Sequence, residues 1–274
     1  MTPYFADAKL GVTIYHGDNR EVLPSLPEKS VQLTVTSPPY SLSKGYGATD
    51  GNVERLPFAE YIAALTETLQ HNFRVTDEDG KCIWNIDDRH VSMADNGINE
   101  NLGTHAHVLL AAKAAGFAYR DLIIWNKQRA ATVAGGAGCM LGSFPYPPNV
   151  PILSMFEYIL IFQRTGQSRA SRVTDEIKEA SKMSSDDFKT AASGVWTFSG
   201  ETAKRGHPCP FPDTVPIRLI RLFSFVGDTV LDPFMGTGTT GEAAKKMGRK
   251  FVGIEIEEKH AETAARRLSQ MELL

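Results

Sequence analysis

The chain has 274 residues and a formal charge of −3, with 42% apolar and 22% charged residues. That length can bury a core large enough for one domain, alone or with an insertion, and the composition excludes disordered, fibrous and disulfide-stapled classes. The longest apolar run, 150–162, is broken by Pro151, Ser154, Glu157 and Tyr158 and cannot span a bilayer, and no basic-then-apolar leader opens the sequence, so no membrane partner and a cytoplasmic location are expected.

In chain order, short apolar runs alternate with longer helical patterns, the signature of a largely parallel sheet covered by helices. Strands are predicted over 12–16, 31–35, 81–86, 119–125, 157–162, 229–231 and 251–255, and helices over 58–74, 104–115, 216–225, 239–247 and 257–270. In the first long helix Phe58, Tyr61, Ile62, Leu65, Leu69 and Phe73 recur at helical spacing and are predicted to form a core face. Two stretches interrupt the alternation: 130–151, rich in Gly and Pro, and the polar segment 165–206, with a short helix predicted near 175–182. Segments of this length inside a compact domain serve as lids, binding loops or inserted modules.

Chemistry-bearing residues gather where predicted strands end. The strand over 31–35 runs into Thr36-Ser37-Pro38-Pro39-Tyr40. Two successive prolines lack N–H groups, cannot extend a ladder and fix φ, leaving a rigid backbone whose carbonyls can accept from a ligand's NH2. Ser37 adds a hydroxyl and Tyr40 a ring on which a flat heterocycle can stack. An aromatic amine is a poor nucleophile because its lone pair is delocalised. Acceptors on its hydrogens favour the pyramidal form and aim the lone pair.

The strand over 229–231 runs into Asp232-Pro233-Phe234-Met235-Gly236-Thr237-Gly238-Thr239-Thr240. Gly236 and Gly238 allow a tight turn and close backbone approach, and Thr239 opens a helix whose free N–H groups suit a carboxylate or phosphate. Glu255 ends the next strand, where an acid accepts from a ribose diol, and Phe234 suits an adenosine wall. The turn is short, lacking the third glycine of GxGxxG, and so is better suited to an adenosine without phosphates.

These motifs resemble the circularly permuted, beta-group DNA amino-methyltransferases that use S-adenosylmethionine, in which the catalytic motif precedes the cofactor motif. The resemblance covers most of the chain. It implies an α/β, Rossmann-like class I methyltransferase fold: a seven-stranded mixed sheet with helices on both faces, the strand over 157–162 antiparallel. It assigns Ser37, Pro38, Pro39 and Tyr40 as catalytic, and Asp232, Phe234, Gly236, Gly238, Thr239 and Glu255 as cofactor-binding. Asp18, after the first strand, matches the acid that meets the adenine amine, and His207 lies in a Pro-rich segment beside the methionine moiety. Residues 1–274 form one catalytic domain, with 165–206 as a small target-recognition insertion. The serine that opens the catalytic tetrapeptide is the form associated with cytosine N4, whereas adenine N6 enzymes more often carry Asp or Asn there. The partner implied is double-stranded DNA with its target base flipped out. A homodimer and a cognate restriction endonuclease are further partners the resemblance allows.

Charge adds to this. Between Arg120 and Arg172 six basic residues (Arg120, Lys127, Arg129, Arg164, Arg169, Arg172) face two acids, and Lys127, Arg129, Arg169 and Arg172 are expected to touch phosphates. Cys82, Cys139 and Cys209 show no CxxC spacing, and His105 and His107 fall on different helix faces, so no metal site is expected. Asp87-Asp88 follows a strand at its carboxyl end, near the expected cleft; it reads as a solvated turn, with a role in shaping the target pocket as the alternative. A non-enzymatic DNA-binding protein is set against the completeness of both motifs, and two enzyme rivals fit less of the chain: a cytosine C5 methyltransferase with Cys209 as nucleophile, and a nicotinamide-dependent oxidoreductase. Neither accounts for Ser37 to Tyr40.

Overall fold

The structure, a computed structural model, describes residues 1–39, 52–91, 97–98, 100–127, 152, 154–199 and 212–270. Tyr40, Arg129, His207, Cys139 and Cys209 lie outside the described residues.

Strands β1 (Phe5–Asp7) and β2 (Val12–His16) lead to the short helix α1 (Asn19–Val22) and to β3 (Val31–Thr36). Helix α2 (Phe58–Val75) precedes β4 (Thr76–Ile86), and a small ribbon of β5 (His90–Val91) and β6 (Glu100–Asn101) follows. Then come α3 (Thr104–Ala115), β7 (Ala118–Asn126), β8 (Phe156–Gln163), α4 (Asp175–Ala180), α5 (Ser185–Ala191) and β9 (Val195–Thr197). The chain continues through α6 (Thr214–Phe223), β10 (Thr229–Asp232), α7 (Thr239–Lys246), β11 (Lys250–Glu255) and α8 (Glu258–Ser269).

Nine strands form one sheet in the order β1-β2-β11-β10-β3-β4-β8-β7-β9. The seven predicted from sequence are its interior. The expectation of seven is corrected by β1, antiparallel to β2, and β9, parallel to β7, three residues each at the two edges. Segments so short carry no readable periodicity; their neighbours' open backbone groups hold them. Strand β8 runs antiparallel to both β4 and β7, as expected.

The central strands are buried on both faces, which is why they read as continuous apolar runs. In β4, Cys82, Trp84 and Ile86 meet Tyr61, Leu65 and Leu69 of α2 and Val108 and Ala112 of α3. Ile83 points the other way, into a core with Val215 and Leu219 of α6, Ala243 and Ala244 of α7 and Ala261, Ala264 and Leu268 of α8. Helices therefore cover both faces. On the buried side of α2, Phe58, Ile62 and Phe73 are only partly covered, while Thr68 and Asn72 are buried. Thr68 Oγ1 donates to Asn19 Oδ1 at 2.8 Å, and Asn72 Oδ1 accepts from Thr34 Oγ1 at 2.8 Å, while the Asn72 Nδ2 is buried without a hydrogen-bond partner.

Strands β3 and β10 are parallel neighbours, with Val230 opposite Leu33 and Leu231 opposite Thr34. From β3 the chain proceeds to β4 on one side, and from β10 to β11 on the other. The order reverses between them, and in an open α/β sheet the crevice at the carboxyl ends of such a pair is the binding site. That crevice lies between Ser37 and Asp232.

Candidate active site

The two motifs are joined by a buried hydrogen bond. Thr36, the last residue of β3, donates from Oγ1 to Asp232 Oδ1 at 2.7 Å. The same oxygen accepts the Phe234 N–H at 3.1 Å, and Asp232 Oδ2 accepts from Thr240 Oγ1 at 2.7 Å. Asp232 is 4% exposed, and burial pushes its carboxyl up to about 6, against the three hydrogen bonds that favour the charged form. Both its oxygens thus serve internal donors. Asp232 therefore braces the turn from beneath, at the place where it is expected to meet the cofactor.

Above that brace, Gly236 and Gly238 take φ of 55° and 85°, conformations that side chains resist. A Cβ on Gly238 would also stand 3.0 Å from the Ala264 Cβ, so the turn packs directly on α8. Glu255, at the end of β11, accepts the Gly236 N–H on Oε2 at 2.7 Å and the Glu257 N–H on Oε1 at 2.9 Å. Gly17 N–H donates to the Glu255 carbonyl at 2.9 Å, which sets Asp18 beside the same rim. Asp18 caps α1 through the Arg20 N–H and holds the Arg20 guanidinium, with Nη2 to Oδ2 at 2.5 Å. Asn19 donates from Nδ2 to the Pro233 carbonyl at 3.0 Å, tying α1 to the turn. Phe234 is half-buried against Trp84, ring edge to face at 6.0 Å. The rim therefore combines two carboxylates, an aromatic wall, a glycine turn and the start of α7. These residues fit an adenosine whose ribose and amine need acceptors and which carries no phosphate.

The catalytic loop rests on a second polar cluster that sequence reasoning did not assemble. Pro38 is buried, and Ser37 and Pro39 are half-buried. Asn85 Nδ2 donates to Ser37 Oγ at 3.3 Å and to Glu157 Oε2 at 2.5 Å. Lys127 Nζ lies 2.8 Å from Glu157 Oε1 and 3.2 Å from Asp87 Oδ2. Asp87 also accepts from Ser154 Oγ at 3.4 Å and from the Asp88 N–H at 2.9 Å, and burial raises its pKa. Asp88 accepts both the backbone N–H and Nδ1 of His105, whose ring stacks on Tyr158 at 3.9 Å. Asp87-Asp88 is thus no solvated turn, which corrects that expectation. A signal was present in the sequence: Glu157 interrupts an apolar run, and a charge committed to a buried strand needs a partner.

Of the four cations expected to touch DNA, Arg129 lies outside the described residues, and the other three make ion pairs within the protein. Lys127 is 4% exposed and spent on two carboxylates. Arg169 and Arg172 lie at the amino-terminal edge of the sheet: Arg169 Nε donates to Asp228 at 3.0 Å, just before β10, and Arg172 Nη1 to Asp77 at 2.9 Å, at the start of β4. The site is at the other edge, so the structure does not bring these arginines to it. The segment 165–199 starts at that far edge, and only β9 returns along β7, with Thr197 opposite Asn126 near the site.

Mixed sheet, reversal point and rim are those of a Rossmann-like class I methyltransferase. A family model described as DNA methylase (N6_N4_Mtase) matches residues 31–266. The chain is 31% identical over 274 residues to the Type II methyltransferase M.MjaI of Methanocaldococcus jannaschii, covering 89% of this chain and 86% of that protein. It is 30% identical over 276 residues to M.ScaI of Streptomyces caespitosus, covering 97% and 83%. Among solved structures it is similar to TTHA0409 of Thermus thermophilus, a candidate DNA modification methylase complexed with S-adenosyl-L-methionine, at TM-score 0.74, 33% identity and 94% coverage of each chain. The PvuII DNA methyltransferase (cytosine-N4-specific) shares the fold at TM-score 0.65 and 18% identity, over 95% of this chain and 86% of that one. The chain belongs to the N6/N4 family of DNA methylases.

Proposed function

We propose that this DNA methyltransferase acts on the N4 amine of a cytosine flipped out of double-stranded DNA. The observation that carries the reading is the Thr36–Asp232 bond, which locks Ser37-Pro38-Pro39 and the glycine turn onto one crevice. S-adenosylmethionine is the cofactor, and when bound it supplies an electrophilic methyl group. Glu255 and Asp18 would hold its ribose and adenine amine, Phe234 its ring, and Gly236, Gly238 and Thr239 would let the backbone approach; His207 is assigned beside the methionine end. Ser37 Oγ and the Pro38 carbonyl accept the hydrogens of the target amine and point its lone pair into the crevice. Pro38 and Pro39 keep those acceptors from moving, and Tyr40 stacks on the base. Catalysis then rests on alignment and on acceptors placed where positive charge develops.

Extruding the base costs a few kcal/mol of stacking and pairing. Target recognition is assigned to the segment 165–206, and phosphate contact to Arg129. A cytoplasmic site of action, a homodimer and a cognate restriction endonuclease complete the proposal. No helix among the described residues is long and apolar enough to cross a membrane.

Incubation with S-adenosylmethionine and mixed-sequence DNA, followed by mass spectrometry of the nucleosides, tests the base. N4-methylcytosine is expected. N6-methyladenine in its place would move the activity to adenine, and C5-methylcytosine that disappears in Cys209→Ala would move the mechanism to a covalent one.

A further inference from the structure

We propose that Asn85, Glu157 and Lys127 form a buried positioning chain that fixes which way the hydrogen bond to Ser37 runs. The inference rests on the reading of Ser37 as an acceptor for the target amine, and it holds for cytosine or adenine alike.

The argument is one of polarity. Asn85 is 1% exposed and ends β4 beside β3, where its amide can face Ser37 with either its NH2 or its carbonyl. Glu157 decides between them. A carboxylate only accepts, so the Asn85 NH2 must face it, at 2.5 Å. The second hydrogen of that NH2 then points at Ser37 Oγ, 3.3 Å away. The opposite orientation would set the amide carbonyl against the carboxylate. The cost of the observed one is visible: Asn85 Oδ1 is buried with no hydrogen-bond partner. An orphaned buried acceptor persists only where stronger contacts dictate the orientation.

Lys127 holds Glu157 in place from the other side, Nζ to Oε1 at 2.8 Å, and Asp87 accepts from the same ammonium at 3.2 Å. Three strands of different direction converge here, since β4 and β7 end at this rim and the antiparallel β8 begins at it. The consequence for chemistry is specific. Ser37 Oγ receives one hydrogen bond from Asn85, so it need not donate to that neighbour, and its second lone pair is left to accept a substrate N–H. Asn85, Glu157 and Lys127 touch neither substrate nor cofactor; they act through Ser37.

The test reverses the polarity without changing the shape. Asn85→Asp replaces the donor with an acceptor and sets two carboxylates together. Adding Glu157→Gln restores both the charge count and a hydrogen bond between positions 85 and 157, leaving only the bond to Ser37 reversed. Methyl transfer to mixed-sequence DNA is measured with tritiated S-adenosylmethionine, together with S-adenosylhomocysteine affinity and the melting temperature. The double variant is expected to melt and to bind S-adenosylhomocysteine like the wild type, while kcat falls by about 10- to 100-fold with KM for the cofactor little changed. Glu157→Gln alone, which lets the Asn85 amide turn over, should fall in the same direction. A double variant with wild-type kcat would overturn the inference alone, as would a loss of kcat matched by a loss of cofactor affinity. Wild-type protein that labels no DNA would overturn the methyl-transfer reading and this inference together.

Discussion

Asp232 keeps a carboxylate where burial disfavours charge, and its pKa is raised from 3.8 to about 6. A raised folded-state value means that the folded chain binds a proton which the unfolded chain has already released. The resulting penalty is complete above about pH 6 and is relieved as the pH falls toward about 4, with a size on the order of 3 kcal/mol. Asp232→Asn removes the titration and keeps an acceptor for Thr36 and Phe234. Denaturant unfolding at pH 7 and pH 5 should therefore show the wild type gaining on the variant at the lower pH; parallel stabilities would sink the assignment. At the catalytic loop, Pro38→Ala loosens the backbone without touching the glycine turn. Turnover should drop by about 10-fold or more, with S-adenosylhomocysteine affinity by calorimetry unchanged. Equal losses in both would undo the division of labour between the two motifs.

Strands β3 and β10 are paired in the sheet, and at their carboxyl ends the Thr36 hydroxyl ties one motif to the other. Thr36→Val keeps the shape but leaves Asp232 short of a donor. A loss of about 1–3 kcal/mol in urea unfolding is expected, with cofactor affinity and turnover falling together because both loops are released. An unchanged cofactor affinity would show that the turn holds its form alone. At the start of α7, Gly238→Ala meets two obstacles, a φ of 85° and a Cβ 3.0 Å from Ala264. The strain should cost about 1–3 kcal/mol and weaken cofactor binding. A variant of full stability and affinity would mean that the turn can rearrange freely.

At the scale of the whole molecule, ion pairs among the described residues stand at both ends of the sheet's strands. The far edge is an ion-paired seam in which Arg169 meets Asp228 and Arg172 meets Asp77; the near edge carries the site. Arg169→Met leaves the buried Asp228 without its main partner and should destabilise the protein by about 3–5 kcal/mol. DNA affinity, followed against salt concentration, should keep its slope, since a true phosphate contact would lower it by about one. A shallower slope in this variant would bring the DNA around to the far edge.

The sequence by itself determined the layered α/β fold, its seven interior strands, the long helices and both motifs. Each is a local pattern: period-2 and period-3.6 burial, prolines that end a ladder, glycines that permit a turn. The tertiary structure alone decided which distant residues share a pocket. The antiparallel run of β8 carries Glu157 to the site and sends the next residues, with Arg169 and Arg172, to the opposite edge. Strand pairing likewise supplied β1 and β9 at the edges and assembled Asn85, Lys127 and Glu157 beneath Ser37. A buried charge is placed by whichever partner neutralises it. That partner comes from another strand, so no local pattern announces it.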